Sequence, residues 1–190
     1  MKKYLLLLCS AICLVSCHNN KSANEELSSN QMKLIEEGWK QATPSGGELD
    51  ETMGVKPIYG IEDNYFDITI GDGFDVALKI VDYSTNKCIR YVYAPQNETV
   101  TINQIPQGKY YIKLAYGNDW MEYKTDSITL GKFTDNAFYE KSNVFDFGVK
   151  NSQQVFNYEL EINVIDGTAK NNFQTVEIDE TEFETNKHII

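Results

Sequence analysis

The feature that most constrains the fold is a two-residue alternation of apolar and polar side chains that runs from Pro57 to Asp166. In residues 74–81 every second side chain is large and apolar, and the same pattern returns in residues 156–164. Period two places successive side chains on opposite faces of a strand, whereas a helix repeats about every 3.6 residues. This part of the chain therefore predicts half-buried β-strands.

Seven runs carry the alternation, and turn-forming sequences such as Gly117–Asp119 separate them. The runs are residues 66–70, 74–81, 88–93, 99–103, 110–116, 144–149 and 156–164. In the fifth run we expect Tyr111, Lys113 and Ala115 to lie on the outer face. About seven short strands rich in aromatic and β-branched residues predict an all-β fold, an antiparallel β-sandwich with its own core.

The segments on either side of the sandwich have a different composition. Met32, Ile35 and Trp39 recur at helical spacing, which predicts a short amphipathic N-terminal helix over Gln31–Gln41. The tail after Gly167 is polar and acidic, and we expect it to be poorly ordered or loosely docked. The predicted organisation is a signal peptide (1–16), a lipidated cysteine with tether and helix (17–56), the sandwich (57–166) and the tail (167–190).

The N-terminal sequence predicts a targeting signal. A basic start, Met1–Lys3, precedes an apolar run from Tyr4 to Val15, which is shorter than the roughly 20 residues of a membrane-spanning helix. The sequence Leu14–Cys17 then resembles the bacterial lipobox. The resemblance implies cleavage after Ser16 and a diacylglyceryl group on the Cys17 thiol. The alternative is an ordinary signal peptide in which Cys17 is incidental.

The lipobox resemblance also implies a location. Acyl chains such as palmitate on Cys17 would hold the protein stably to a membrane of the bacterial cell envelope, because more than one chain is present. We expect the outer membrane, and the sequence leaves open which face carries the protein. The expected partners are this membrane and an envelope protein or glycan.

A second resemblance lies within the sandwich. The sequence Ile105–Leu114 is similar to the turn-and-strand signature of transthyretin-like sandwiches, including carboxypeptidase regulatory-like domains. Pro106 and Gly108 suit the turn, and Tyr110 re-enters the core on the next strand. The resemblance implies a binding, spacing or stabilising module, not a particular chemistry.

Composition argues against several classes of function. With 28 acidic and 17 basic residues, the net charge is −11, whereas nucleic-acid binding needs basic groups that neutralise phosphates. The two histidines, His18 and His188, lie outside the sandwich, so a nucleophile such as Cys88 has no nearby base in the sequence. We therefore predict no enzyme and no cofactor.

Metal binding is the remaining chemical alternative. Asp67, Asp72 and Asp75 surround a glycine-containing turn where oxygen ligands for calcium could converge. A solvated turn explains the same residues through their backbone preferences. We therefore predict no metal site.

Aromatic residues provide the candidate binding surface. Alternation puts Tyr91, Tyr93 and Tyr111 on faces opposite the expected core, and Trp120 follows a turn. Outward rings of this kind stack on sugars or anchor a protein partner. The alternative is that the N-terminal helix or residues 118–143 cover the face and make these rings core. The sequence thus predicts a protein-interaction or structural module, with glycan binding through these rings as the alternative function.

Overall fold

The computed structural model describes residues 27–150 and 153–185, so the predicted lipidation site, Cys17, lies outside the described part. The strands are β1 (Lys40–Gln41), β2 (Gly47–Glu48), β3 (Tyr65–Ile70), β4 (Asp75–Asp82), β5 (Cys88–Ala94), β6 (Thr99–Asn103), β7 (Lys109–Lys124), β8 (Thr129–Ser142), β9 (Phe145–Asp146), β10 (Tyr158–Ile165), β11 (Thr168–Asn171) and β12 (Thr175–Ile178). The helices are α1 (Ser29–Glu36) and α2 (Glu180–Glu184). Neither helix has the length and apolar sequence that a membrane span requires.

The strands form two sheets that pack face to face. The large sheet has the order β12-β8-β7-β4-β5-β2, with β1 and β9 also paired to β7. The small sheet has the order β11-β10-β3-β6. The predicted all-β sandwich is confirmed, with one parallel pair, β3 and β10, in a fold that is otherwise antiparallel among the described strands.

The main core fills the space between the sheets. Every second residue of the central strands points into it, as the alternation predicts. Examples are Phe66 and Ile68 from β3, Leu78 from β4, Leu114 from β7 and Leu160 from β10, none more than 2% exposed. Burial of each such side chain contributes about 1.5–3 kcal/mol, so these alternating positions are the main source of stability.

The outer face of the large sheet is buried too, which the prediction of half-buried strands did not anticipate. Eight of its side chains belong to a second core, which we call the outer core: Ala77, Val81, Cys88, Tyr91, Tyr93, Ala115, Trp120 and Phe133. Lys113 and Ala115, which we expected on the outside, are 2% and 3% exposed. Strands β4 and β5 are therefore covered on both faces.

A long hairpin, β7 with β8, replaces the turn predicted at Gly117–Asp119. The strand continues through this sequence as a β-bulge, with the register shift between Tyr116 and Asn118 and Asp119 at a φ of 53°. A Cβ on Gly117 would lie 2.5 Å from the Cβ of Phe133. The glycine thus permits close packing of two strands here, not a chain reversal.

The predicted N-terminal helix is present, but it is shorter than predicted, and the side that faces the protein is not the side that we expected. It ends at Glu36, shortly before Gly38, whose φ is 95°. Met32 and Ile35, the expected core-facing residues, are 50% and 43% exposed. Gln31 and Leu34 are the buried residues of the helix, because hydrogen bonds of Gln31 set its orientation.

The acidic tail is part of the sandwich, contrary to our expectation of loose docking. Strand β11 extends the small sheet, and β12 pairs with β8 at the edge of the large sheet. Asp179 caps α2 by accepting the backbone N–H of Glu182 at 2.7 Å. Phe183 is only 2% exposed, and Phe173 packs against the main core, so two aromatic side chains connect the tail to the interior.

Candidate functional site

The four aromatic residues predicted as a platform are covered. Tyr91, Tyr93 and Trp120 are 2%, 1% and 3% exposed, and Tyr111 is partly buried. The rings of Tyr93 and Trp120 meet edge to face, with planes at 67°. A sugar stacks on the open face of a ring. The expectation that these rings are exposed is therefore wrong. Tyr91, Tyr93 and Trp120 are core residues, as the alternative predicted, and Tyr111 packs partly buried against them.

Two segments distant in sequence cover these rings. Residues 42–55 contribute four side chains to the outer core: Ala42, Leu49, Met53 and Val55. The backbone N–H of Leu49 donates to the carbonyl of Tyr91 at 2.8 Å. Phe183 from α2 packs with its ring centroid 6.3 Å from that of Tyr91. The cover is thus neither α1 nor the greater part of residues 118–143.

Two buried lysines hold α2 on this face. The Nζ of Lys79 donates to the carbonyl of Phe183 at 2.8 Å, and the Nζ of Lys113 donates to the carbonyl of Glu182 and to Thr185 Oγ1. Burial lowers the pKa of Lys113, and Glu182 opposes that shift. Cations at the C-terminal carbonyls of a helix stabilise it, so the two lysines complete the cover instead of forming a free cationic surface.

An open cleft of about 820 Å³ lies beside the outer core. Its walls come from α1, residues 41–43, the facing ends of β4 and β5, and the bulged part of the β7–β8 hairpin. Its lining comprises the carboxylates Asp75, Asp119 and Asp135; the carboxamides Gln31, Gln41, Gln96 and Asn118; the hydroxyl residues Ser28 and Thr43; Ala42; and the rings Tyr93 and Trp120. This cleft is the candidate functional site.

Gln31 forms one wall of the cleft and is held at both ends of its amide. In a capping box, its Oε1 accepts the backbone N–H of Ser28 at 2.7 Å, and Ser28 Oγ accepts the backbone N–H of Gln31 at 3.2 Å. Its Nε2 donates to Asp119 Oδ2 at 2.6 Å and to Thr134 Oγ1 at 3.2 Å. These bonds fix α1 against the bulge of the hairpin.

Asp75 forms the opposite wall. Its Oδ1 accepts the backbone N–H of Gln96 at 2.9 Å, and its Oδ2 accepts the hydroxyl of Tyr93. Burial raises the pKa of Tyr93 well above its ordinary value, and the hydrogen bond to Asp75 adds to the effect. Tyr93 therefore remains a neutral donor that orients the carboxylate.

The cleft is electrostatically one-sided. Three carboxylates line it, and no lysine or arginine is among the lining residues. Like charges in a concave site with low-dielectric walls reinforce one another. The cleft therefore disfavours phosphates, carboxylates and other anions.

The three aspartates weighed as a calcium site have other partners. Asp67 accepts the hydroxyl of Thr101 at 2.5 Å, and Asp72 accepts the amide of Asn97 at 3.0 Å, while Asp75 faces the cleft. Within residues 27–150 and 153–185, no group of three or more His, Cys, Asp or Glu side chains is placed to hold a metal ion. The turn therefore uses these carboxylates to hydrogen-bond neighbouring side chains and backbone.

Cys88, the cysteine of the sandwich, is 1% exposed. Its thiol donates to the carbonyl of Arg90 at 3.1 Å. A thiol in such surroundings acts as a small apolar residue.

Alkaline pH should destabilise the protein through its buried tyrosines. Burial raises the pKa of Tyr110 and of Tyr139 from 10.0 to about 12. Between these values the folded state holds more protons than the unfolded state, so the free energy of unfolding falls as the pH rises from about 10 to about 12. Below about pH 10 this contribution is fully present.

Urea unfolding at about pH 9 and about pH 11, together with tyrosinate absorbance, measures this effect. Tyr139→Phe should reduce the loss of stability between the two pH values. Equal stability at both pH values would contradict the shifted titration.

Sequence reasoning missed the cleft because its residues come from separate segments of the chain. The one local signal was the pattern Ser28-x-x-Gln31, which is typical of a capping box and could have placed the start of α1. Nothing local indicated that Gln31 meets Asp119 or that residues 41–43 pass beside Trp120. No protein-family model matches the chain, and no curated protein or solved structure matches it significantly.

Proposed function

We propose that this protein is a lipid-anchored protein of the bacterial cell envelope whose β-sandwich is a non-catalytic interaction module. The observation that carries the proposal is the sequence Leu14–Cys17, which follows a basic start and an apolar run of signal-peptide length. The sandwich that follows supports the second half of the proposal, because it is a rigid scaffold with an open polar cleft.

The proposed anchor follows from thiol chemistry. The thiol of Cys17 loses its proton and takes the diacylglyceryl group of a membrane phospholipid as a thioether, while the bond from that group to the phosphate headgroup breaks and the headgroup leaves. The small residue Ser16 suits cleavage before Cys17. Several acyl chains give stable membrane binding where a single chain binds marginally. We propose the outer membrane as the location, with either face open to test.

Replacement of the predicted acylated residue tests the anchor. Cys17→Ala should abolish incorporation of labelled palmitate and leave the precursor uncleaved, because no thiol is present to accept the diacylglyceryl group. Gel mobility and fatty-acid labelling in intact cells, followed by membrane fractionation, measure both effects.

Cys13→Ala is the matched control, since it removes a thiol from the predicted apolar core of the signal and should leave labelling unchanged. Continued labelling of Cys17→Ala would show that the lipobox assignment is wrong. Loss of labelling in both variants would point to a damaged export signal instead.

A non-catalytic role is supported by the residues that surround the possible nucleophiles. No histidine occurs within residues 27–150 or 153–185, and Cys88 is buried. Nucleophilic catalysis needs an accessible nucleophile with a base within hydrogen-bond reach. The described residues offer instead a preformed cleft, which suits binding.

The similarity of Ile105–Leu114 to transthyretin-like sandwiches is consistent with an interaction role, since such modules bind, space or stabilise. We propose an envelope protein or a glycan as the partner. The cleft lined by polar side chains, not the covered aromatic face, is the binding surface that we propose.

A further inference from the structure

We propose that the cleft binds a neutral polyhydroxylated ligand, such as a sugar, through its carboxamide and carboxylate side chains. This inference rests on the proposed interaction role and names the ligand class and the site. It differs from stacking on the sheet aromatics, because the contacts are hydrogen bonds inside a cavity.

The size of the cleft fits a small organic ligand. Its volume of about 820 Å³ falls within the range of roughly 300–1,000 Å³ that is typical of small-molecule sites. The cleft is open to solvent and not an enclosed cavity, so a ligand could project out of it. One sugar unit could therefore lie in the cleft while the rest of a longer glycan extends into solvent.

The chemistry of the lining selects hydroxyl groups. A carboxylate accepts two hydrogen bonds side by side, and a carboxamide both donates and accepts, so neighbouring hydroxyls of a sugar match either group. Asp135, Gln41 and Asn118 supply these functions around the cleft. An apolar ligand would leave them unpaired, and an anion would meet three carboxylates.

A metal ion fits the same walls poorly. The carboxylates do not converge, since none of the described His, Cys, Asp and Glu residues forms a group that could hold a metal. Asp75 and Asp119 also accept hydrogen bonds from protein donors. Spaced and partly engaged acceptors suit a ligand that presents several separated hydroxyls.

The walls are ordered before a ligand arrives. Gln31 is 3% exposed and is hydrogen-bonded through both its oxygen and its nitrogen to Ser28, Asp119 and Thr134. Tyr93 orients Asp75 on the other side. Preorganised groups lose little conformational entropy on binding, which favours recognition of a flexible, well-hydrated sugar.

The test is sugar binding by the full-length protein, purified in detergent and applied to an array of neutral, acidic and amino-sugar oligosaccharides. Bound sugars are then titrated in solution against the Trp39→Phe variant, which leaves Trp120 in the cleft wall as the tryptophan reporter. Spermidine is titrated in parallel as a cationic probe.

Two variants assign binding to the cleft. Asp135→Ala removes an exposed carboxylate from the wall and should weaken binding about tenfold or more, as expected for a hydrogen bond to a charged group. Thr43→Trp should block the cleft without removing a carboxylate. Asp126→Ala is the matched control, because Asp126 is an exposed aspartate at the turn of the same hairpin.

Saturable binding of a neutral sugar that both cleft variants weaken, and that Asp126→Ala leaves unchanged, supports the proposal. Three results overturn it: no neutral sugar binds, binding is insensitive to both cleft variants, or spermidine alone binds. These results are separate from the anchor test, because acylation of Cys17 with no sugar binding would refute the ligand class and leave the anchored module standing.

Discussion

Replacement of Phe183 by alanine should lower the free energy of unfolding by about 3–5 kcal/mol, the usual cost of removing a buried aromatic ring. The side chain is 2% exposed, and its ring centroid lies 6.3 Å from that of Tyr91 and 5.5 Å from that of Tyr139. The Nζ of Lys79 lies 4.2 Å from the centre of the ring. The substitution therefore leaves a cavity and also removes a cation–π contact.

The large expected loss of stability follows from the role of Phe183 in docking α2 on the outer core. It is the large apolar side chain of α2, and the neighbouring carbonyls accept hydrogen bonds from Lys79 and Lys113. If the ring no longer anchors α2, these two buried ammonium groups lose their hydrogen bonds to its carbonyls. Hydrogen bonds to charged groups contribute more than neutral ones, which should place the effect toward the upper end of the range.

Urea unfolding followed by tryptophan fluorescence measures this loss. Val176→Ala is the matched control in the same tail, because Val176 is 59% exposed on β12, and it should change the stability by about 0.5 kcal/mol or less. If Phe183→Ala unfolds within about 1 kcal/mol of the unmodified protein, the tail does not contribute to the core.

Replacement of Arg90 by alanine should cost about 3–5 kcal/mol, as expected when one partner of a buried ion pair is removed. Its side chain is 0% exposed, and its Nε lies 2.8 Å from Glu48 Oε1. Its guanidinium also donates to the carbonyls of Ile58, Ile89 and Gln104. Burial lowers the pKa of Arg90, and Glu48 opposes that shift.

Comparing the loss of stability in two variants distinguishes the effect of burying Arg90 from the effect of its ion pair with Glu48. Glu48→Gln should cost less than Arg90→Ala, because glutamine keeps a side-chain oxygen that can accept from the guanidinium, and because the Glu48 side chain is 27% exposed. Lys109→Ala is the control, since its ion pair with Asp146 is 3.6 Å long and exposed, and such pairs contribute about 0–1 kcal/mol. Equal effects of Arg90→Ala and Lys109→Ala in urea unfolding would contradict this interpretation.

The strands were predictable because alternation is a local property. Residues 65–70, 75–82, 88–94, 99–103 and 158–165 are strands close to where period two predicted them. The bulge at Gly117–Asp119 was not predictable, because the same residue types favour turns. Only the pairing of β7 with β8, in which Trp120 lies opposite Phe133, shows that strand β7 continues through these residues.

The identity of the buried faces was less predictable. Alternation put Tyr91, Tyr93 and Lys113 on one face of the sheet, but it does not state what lies against that face. The wrong prediction for Met32 and Ile35 has the same cause. Helical spacing shows which residues share one side of a helix, but it does not show which side packs against the rest of the protein. Hydrogen bonds from Gln31 to Asp119 and Thr134 oriented the helix instead.

By itself, the sequence determined the β-sandwich class and the lipobox hypothesis, because both depend on residues close together in the chain. The tertiary structure decided that the tail belongs to the core, that the outer aromatic face is covered, and that a cleft forms between α1 and the β7–β8 hairpin. These features depend on contacts such as Lys79 with Phe183 and Gln31 with Asp119, which join residues far apart in sequence. Such contacts form only after the sheets assemble and the segments at either end pack against them, so no local pattern encodes them.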